Sequence, residues 1–423
     1  MKSKYLNRIT DKIINETLEY TGAVLIEGPK WCGKTRTGTE IAKSAVFLQD
    51  QDKRLEYLRI SQTKPSLLLE GEVPLLLDEW QDVPVLWDAV RFAVDQRGEN
   101  GQFILTGSAV PVDNQVQHTG TGRIARVMMR PMSLFESGES NGTVSLNDLF
   151  NGKKNISSRS AVDINGIIEA IVRGGWPQAV IDKSKNKFRH AINYVDGVIN
   201  SDINRVDGIV KNPARVRLLL RSLARNISTT VTIKTICDDI AMGSEDMTLS
   251  DKTVNQYLNA LERIFVVENI PAWNVSLRSK TAIRTSPKRQ FVDPSIAVAV
   301  MRLTPERLLH DFNYLGFLFE SLVDRDLRVY IEAIDGQIYH YRDSSGLETD
   351  AILSLNDGRW ALVEIKLGIG QVDEAAKHLL QLRDKIKTDK IQQPSFMMIV
   401  TGTDFAYCRD DGVLVVPIGC LRE

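Results

Sequence analysis

Two groups of residues in this 423-residue chain have the types and spacing for phosphate chemistry. The first is Gly28-Pro29-Lys30-Trp31-Cys32-Gly33-Lys34-Thr35, which follows an apolar run at 23–26 and opens a helix expected over 36–43. Gly28 and Gly33 let the backbone turn tightly enough for successive N–H groups to converge on phosphates at the positive end of that helix. This is the G-x-x-x-x-G-K-T pattern of a phosphate-binding loop, in which Lys34 reaches the β- and γ-phosphates and the Thr35 hydroxyl ligates Mg²⁺. Further on, the apolar run 73–77 ends in Asp78 and Glu79. Asp78 suits a Mg²⁺ ligand and Glu79 the group that orients and deprotonates an attacking water. A further buried strand, expected over Gln102-Phe103-Ile104-Leu105-Thr106-Gly107-Ser108, carries the hydroxyls of Thr106 and Ser108 at its carboxyl end. Either hydroxyl could sense a γ-phosphate, although Thr and Ser also end strands for turn chemistry alone. Arg123 and Arg126 could stabilise transferred charge in a neighbouring subunit or stand as ordinary exposed arginines.

The second group is Asp350, Glu364 and Lys366, with Glu320 upstream. Strands at 350–355 and 360–367, joined by a turn at Asn356-Asp357-Gly358, bring Asp350 beside Glu364 to within a residue of register. Side chains alternate along a strand, so Glu364 and Lys366 share one face while Val363, Ile365 and Leu367 enter the core. Two carboxylates can hold Mg²⁺ or Mn²⁺ through hard oxygen ligands while a lysine orients and deprotonates a water, which is the chemistry of phosphodiester cleavage. Glu320, on an amphipathic helix at 316–323, is a third candidate ligand and Gln381 a candidate substrate contact. A surface salt bridge on a hairpin would use the same Glu-x-Lys spacing.

The remaining residues must position these groups. Continuous apolar runs with functional residues at their carboxyl ends describe a parallel sheet covered on both faces. The 54–72 stretch reads as a polar connection and 84–96 as a helix. Residues 137–165 include a Ser-, Asn- and Gly-rich stretch that reads as a linker. From residue 166 the pattern is helical. Arg217, Arg221 and Arg225 form a basic stripe opposite Leu219, Leu220 and Leu223. Two short helices, 232–241 and 250–264, precede a strand at 265–267, the order of a winged helix-turn-helix in which Lys252, Asn255, Gln256 and Asn259 could meet DNA. Between 271 and 290 stand Arg278, Lys280, Arg284, Lys288 and Arg289 with no acidic residue. That segment offers phosphate contacts or forms a lid. With 53 basic and 54 acidic residues, no global charge draws nucleic acid. Cys32, Cys237, Cys408 and Cys420 are too scattered for a disulfide framework or zinc cluster, and no apolar run approaches the ~18 residues of a membrane span. A cytoplasmic protein without a membrane partner is the expectation.

With Gly28–Thr35, the 75–79 run, Leu105–Ser108 and Gly122-Arg123 followed by Arg130-Pro131-Met132-Ser133-Leu134-Phe135-Glu136, the N-terminal third resembles a prokaryotic AAA-type ATPase family. Members usually carry a C-terminal domain of unknown function with a restriction-endonuclease-like fold, and Asp350, Glu364 and Lys366 are similar to the D…E-x-K signature of such nucleases. The resemblance extends through Gly174-Gly175-Trp176-Pro177 and Tyr194–Asp202. It implies ATP binding with Mg²⁺, hydrolysis, and a nuclease activity inferred from motif. The expected fold class is multidomain α/β: a P-loop ATPase domain at 1–136, a linker at 137–165, a helical and winged-helix segment at 166–290, and an α/β restriction-endonuclease-like domain at 291–423. Three readings follow: an ATPase controlling a metal-dependent nuclease, a nucleotide-switched regulator that binds DNA through 212–290 or a protein without cutting, and an interaction protein unrelated to DNA. A homo-oligomer or protein partner is compatible with each.

Overall fold

The computed structural model describes residues 5–108, 120–206, 209, 211–243, 249–273, 286–343, 346–386 and 392–423. The chain forms two compact units. The first comprises Met1–Pro131, Asn200–Lys211 and Asn259–Val266, and the second Met132–Ile199, Asn212–Leu258 and Val267–Glu423.

The first unit is built on strands β1 (Ala23–Glu27), β2 (Ser44–Phe47), β3 (Leu75–Asp78), β4 (Phe103–Gly107) and β5 (Ile124–Met128), all parallel in the order β2-β3-β4-β1-β5. Alternate side chains of the central strands enter two cores. Leu25, Leu75, Leu77, Phe103 and Leu105 pack with Leu86 and Val90 of the helix Val85–Arg97. Val24, Ile26, Leu76 and Ile104 pack with Ile14 and Leu18 of the helix Ile9–Tyr20. Burial on both faces is why these strands are apolar without alternation. The stretch read as a polar connection is instead a helix, Arg54–Thr63, and a 3₁₀ turn, Pro65–Leu69. Tyr57, Leu58 and Ile60 give that helix a narrow apolar stripe against the first core, hidden among charged neighbours in the sequence. Glu27 lies beside Gly107, and Leu77 beside Leu105. The order β3-β4-β1 therefore sets three carboxyl ends side by side.

In the second unit the strands are β6 (Val144–Ser145), β7 (Ser157–Arg159), β8 (Gly336–Arg342), β9 (Glu348–Leu355), β10 (Trp360–Lys366), β11 (Met397–Thr401), β12 (Phe405–Cys408), β13 (Leu414–Pro417) and β14 (Leu421–Arg422). Seven form a mixed sheet, β7-β12-β13-β11-β10-β9-β8, and β14 pairs with β6. The stretch read as a linker thus supplies β7, an edge strand, and Phe150, whose ring meets Phe396 edge-on. The β9–β10 hairpin turns at Gly358, whose φ of 91° suits glycine. Its register pairs Val363 with Ala351, so Asp350 falls opposite Glu364 as the sequence predicts. Both faces of β10 are buried: Trp360 and Leu362 meet Val372, Ala375 and Leu379 of the helix Val372–Ile386.

The helix Phe312–Glu332 carries buried charges along with its apolar residues. Arg325 donates to Asp293 at 3.0 Å and Asp326 at 2.7 Å, and Asp293 accepts the Gly175 N–H at 2.9 Å. A Cβ at Gly175 would stand 2.2 Å from the Met132 carbonyl oxygen. The Gly174-Gly175-Trp176 motif is thereby a packing device. The two helices of the expected winged helix are present, Ile233–Gly243 and Asp251–Arg263, and Lys252, Asn255, Gln256 and Asn259 are exposed. The strand expected at 265–267 reduces, among the described residues, to an isolated bridge between Val267 and Phe291. Arg278, Lys280 and Arg284 lie outside the described residues.

Candidate functional site

In the first unit the phosphate-binding loop joins β1 to the helix Lys34–Ile41, with Gly33 as its left-handed N-cap at φ 109°. Gly28, at φ 149°, passes so close to the Met129 carbonyl oxygen that a Cβ would lie 2.1 Å from it. Lys34 is 5% exposed, and its ammonium donates to the carbonyls of Gly28 at 2.9 Å and Pro29 at 2.8 Å. Among the described residues it has no carboxylate partner. Asp78, fully buried at the end of β3, accepts from the Thr106 hydroxyl at 2.7 Å and the Gln49 amide at 3.1 Å. A buried cation and a buried anion held only by neutral groups are costly. A magnesium–polyphosphate complex, anionic toward Lys34 and cationic toward Asp78 and the adjacent Thr35, complements both; this donor set fits ATP with Mg²⁺.

Glu79 follows in the left-handed conformation, φ 57°, and its N–H donates to Thr106 Oγ1 at 3.0 Å. The Thr106 hydroxyl, one of the two candidate γ-phosphate sensors, is therefore engaged between Asp78 and Glu79. The Glu79 carboxylate accepts from Gln81 and, at 3.4 Å, from the Ser108 hydroxyl. Ser108 thus remains at the carboxyl-end cluster. Arg123 does not. It precedes β5, at the amino end of the sheet, and its guanidinium donates to Asp95 at 2.8 Å. Arg126 pairs with Glu27 at 2.8 Å. Gln49, Gln81 and Asp202, whose carboxylate holds Lys30 of the loop at 2.5 Å, went unread. The first two are uncharged and the third lies 172 residues from its partner.

In the second unit Asp350, Glu364 and Lys366 meet in an open cleft of about 540 Å³, lined also by Glu348, Gln371, Glu374 and His378. Lys366 Nζ lies 3.0 Å from Asp350 and 2.6 Å from Glu364. Burial and then Asp350 push Glu364 well above the usual carboxylate range. Burial acts the same way on Asp350, but Lys366, Lys288 and the Ile365 N–H outweigh it and hold Asp350 low. Burial opposes the charge of Lys366 and its two carboxylates override that, raising it.

Glu320 departs from expectation. It and Asp324 are claimed by Lys288, at 2.7 and 2.8 Å, whose ammonium also donates to the Asp350 carbonyl at 2.7 Å. Burial raises Glu320 to about 8, with Asp350 and Asp324 adding to it against Lys288. Lys288 is thus a buried strut, not the surface phosphate contact its basic neighbourhood implied. Arg289 is likewise buried. Among the described residues no group of three or more His, Cys, Asp or Glu is disposed to hold a metal ion. Asp350 and Glu364 remain as a two-carboxylate pair, a number that suits Mg²⁺, which retains waters and takes phosphate oxygens. Four carboxylates line the cleft against one lysine, an excess that a divalent cation would offset. Gln381 is exposed and is not among the lining residues. On the basic stripe, Arg225 pairs with Asp239 at 2.8 Å and Arg217 lies 3.9 Å from Asp196, which reduces its free charge.

Residues 20–137 match a family model described as AAA domain. Together with the loop geometry, this defines the class of the N-terminal domain as an AAA-type ATPase. Residues 164–307 and 315–421 match two domains of unknown function, DUF8612 and DUF4143. The chain is 22% identical over 360 residues to uncharacterized proteins of Mycobacterium bovis and Mycobacterium tuberculosis, spanning 84% of this chain and 72% of theirs. Among solved structures, the Walker-type ATPase of Pyrococcus abyssi aligns with TM-score 0.43 and 14% identity, over 71% of this chain and 97% of that one. The Aeropyrum pernix ORC2 protein aligns with TM-score 0.35 and 12% identity, over 75% and 96%. No helix among the described residues is long and apolar enough to cross a membrane.

Proposed function

We propose that the chain hydrolyses ATP and that its nucleotide state governs a metal-dependent phosphodiesterase in the second unit, acting on nucleic acid. The observation that carries the ATPase half is Lys34, a buried ammonium held by two carbonyls and awaiting an anion. In this reading Lys34 binds the β- and γ-phosphates, Thr35 and Asp78 hold Mg²⁺, Thr106 fixes Asp78 and the Glu79 backbone, and Glu79 takes the proton of the attacking water. In the second unit Asp350 and Glu364 would hold Mg²⁺ or Mn²⁺, which when bound acidifies water and stabilises charge on phosphorus. Lys366 orients the water. Because the cleft is acidic, a nucleic acid enters it only with cations.

A second reading, a nucleotide-switched regulator that does not cut, is favoured by the diversion of Glu320 to Lys288. ATP turnover and cleavage of plasmid and oligonucleotide with Mg²⁺ or Mn²⁺, with and without ATP, separate the two. ATP turnover without cleavage in any state leaves the regulator.

A further inference from the structure

The second cleft then has a carboxylate pair to hold a metal and a lysine to orient water, but no group assigned to protonate the departing oxygen. The helix Val372–Ile386 shows how that need could be met. It buries Val372, Ala375, Ala376 and Leu379 against Leu362 and Trp360 of β10, the face of the strand that also bears Glu364 and Lys366. Glu374 and His378 of this helix, with Gln371 just before it, line the cleft with those two residues and Asp350. Positions 374 and 378 are one turn apart on a single face, and His378 is an exposed imidazole in a cleft otherwise lined by Glu348, Asp350, Glu364, Glu374 and Lys366 among its ionisable groups.

Phosphodiester cleavage places negative charge on an alkoxide that leaves poorly without a proton. Lys366 is held by two carboxylates, and Asp350 is engaged by Lys366 and by the Ile365 N–H. Imidazole is the side chain whose ordinary chemistry both gives and takes a proton near neutrality, and among the described residues His378 is the one histidine that lines this cleft. We propose that His378 is a catalytic residue, the general acid that protonates the leaving oxygen, with Glu374 one turn away orienting its ring. Water oxygen bonds to phosphorus, the phosphorus–ester oxygen bond breaks, an imidazolium proton passes to the departing oxygen, and the proton lost by the water goes to solvent; the imidazole then regains a proton from solvent. No oxidant or reductant is needed.

The inference rests on the phosphodiesterase reading, and the test separates them. Full-length wild type and His378→Gln are compared, with Mn²⁺, on an oligonucleotide and on thymidine 5′-(p-nitrophenyl phosphate), whose leaving p-nitrophenolate needs no proton. The expected result is a roughly 100-fold fall in kcat on the oligonucleotide with KM unchanged, and a rate within about twofold of wild type on the nitrophenyl ester. Equal losses on both substrates, an unchanged kcat on the oligonucleotide, or a rise in KM alone overturns the assignment while leaving the phosphodiesterase reading in place. Wild type inert on both substrates overturns that reading and this one with it. His378 is exposed, so the variant is expected to melt with wild type, and His378→Asn repeats the comparison if it does not.

Discussion

The two candidate sites treat their lysines in opposite ways. Among the described residues Lys34 is buried against two carbonyl oxygens and no carboxylate, whereas Lys366 and Lys288 are each clasped by two carboxylates. The first arrangement is electrically incomplete and defines its ligand by what it lacks. The second is partly compensated from within, so part of each charge there serves the fold. Substitution should therefore cost the first region function and the second both function and stability.

The largest effect is expected at Arg325, a buried cation held by two buried carboxylates. Arg325→Met strands Asp293 and Asp326 in the interior, and by the usual cost of breaking a buried pair it should remove about 3–5 kcal/mol, read as a lower urea midpoint. A loss below about 1 kcal/mol would break the comparison. Lys34→Ala should leave the urea midpoint near wild type or above it, because it removes a buried charge without a counter-charge, while ATP affinity falls roughly 100-fold by calorimetry. Glu79→Gln should bind ATP normally and turn it over about 100-fold more slowly; normal turnover would displace Glu79 from its role.

Asp350→Asn and Lys366→Ala should abolish metal-dependent cleavage and also lower the midpoint, whereas ATP turnover stays close to that of wild type. Cleavage that survives Asp350→Asn would move the chemistry elsewhere. The smallest effect concerns pH. Burial raises Asp326 to about 6 against the pull of Arg325. The folded state then binds more protons than the unfolded chain between about pH 4 and 6, so this group's contribution to stability is present below that window and lost as pH rises through it, by roughly 3 kcal/mol. Asp326→Asn should make the pH dependence of the urea midpoint shallower across that interval, and an identical slope would remove Asp326 from the account.

What could be read in advance follows the range of the interactions. The phosphate loop and the carboxylates ending β3 are local patterns, and the β9–β10 register follows from one glycine turn, so Gly28 to Thr35, Asp78, Glu79, Asp350, Glu364 and Lys366 were all legible. Lys288 was misread because its partner Glu320 is 32 residues away, while its neighbours in the chain are basic. The position of Arg123 before β5 was not legible, because spacing does not tell which end of a strand a residue occupies. The apolar stripe of the helix Arg54–Thr63 is narrow and interrupted by charge. Residues 137–165 have loop-like composition, and their two short strands, β6 and β7, form only through partners at the far end of the chain.

That last pairing bears on how the molecule is made. Ser140 donates to the Leu421 carbonyl across 281 residues, and β7 finds its neighbour β12 only after the helical region has been synthesised. At ribosomal speeds of about 5–20 residues per second, the early strands wait roughly 15–60 s for their partners to emerge. The strands of the first unit end at Met128 and emerge before this wait is over, although its later segments, up to Val266, follow during it. A fragment beginning near residue 291 would lack β7 and leave β12 as an unpaired edge carrying exposed Phe405, a surface prone to self-association.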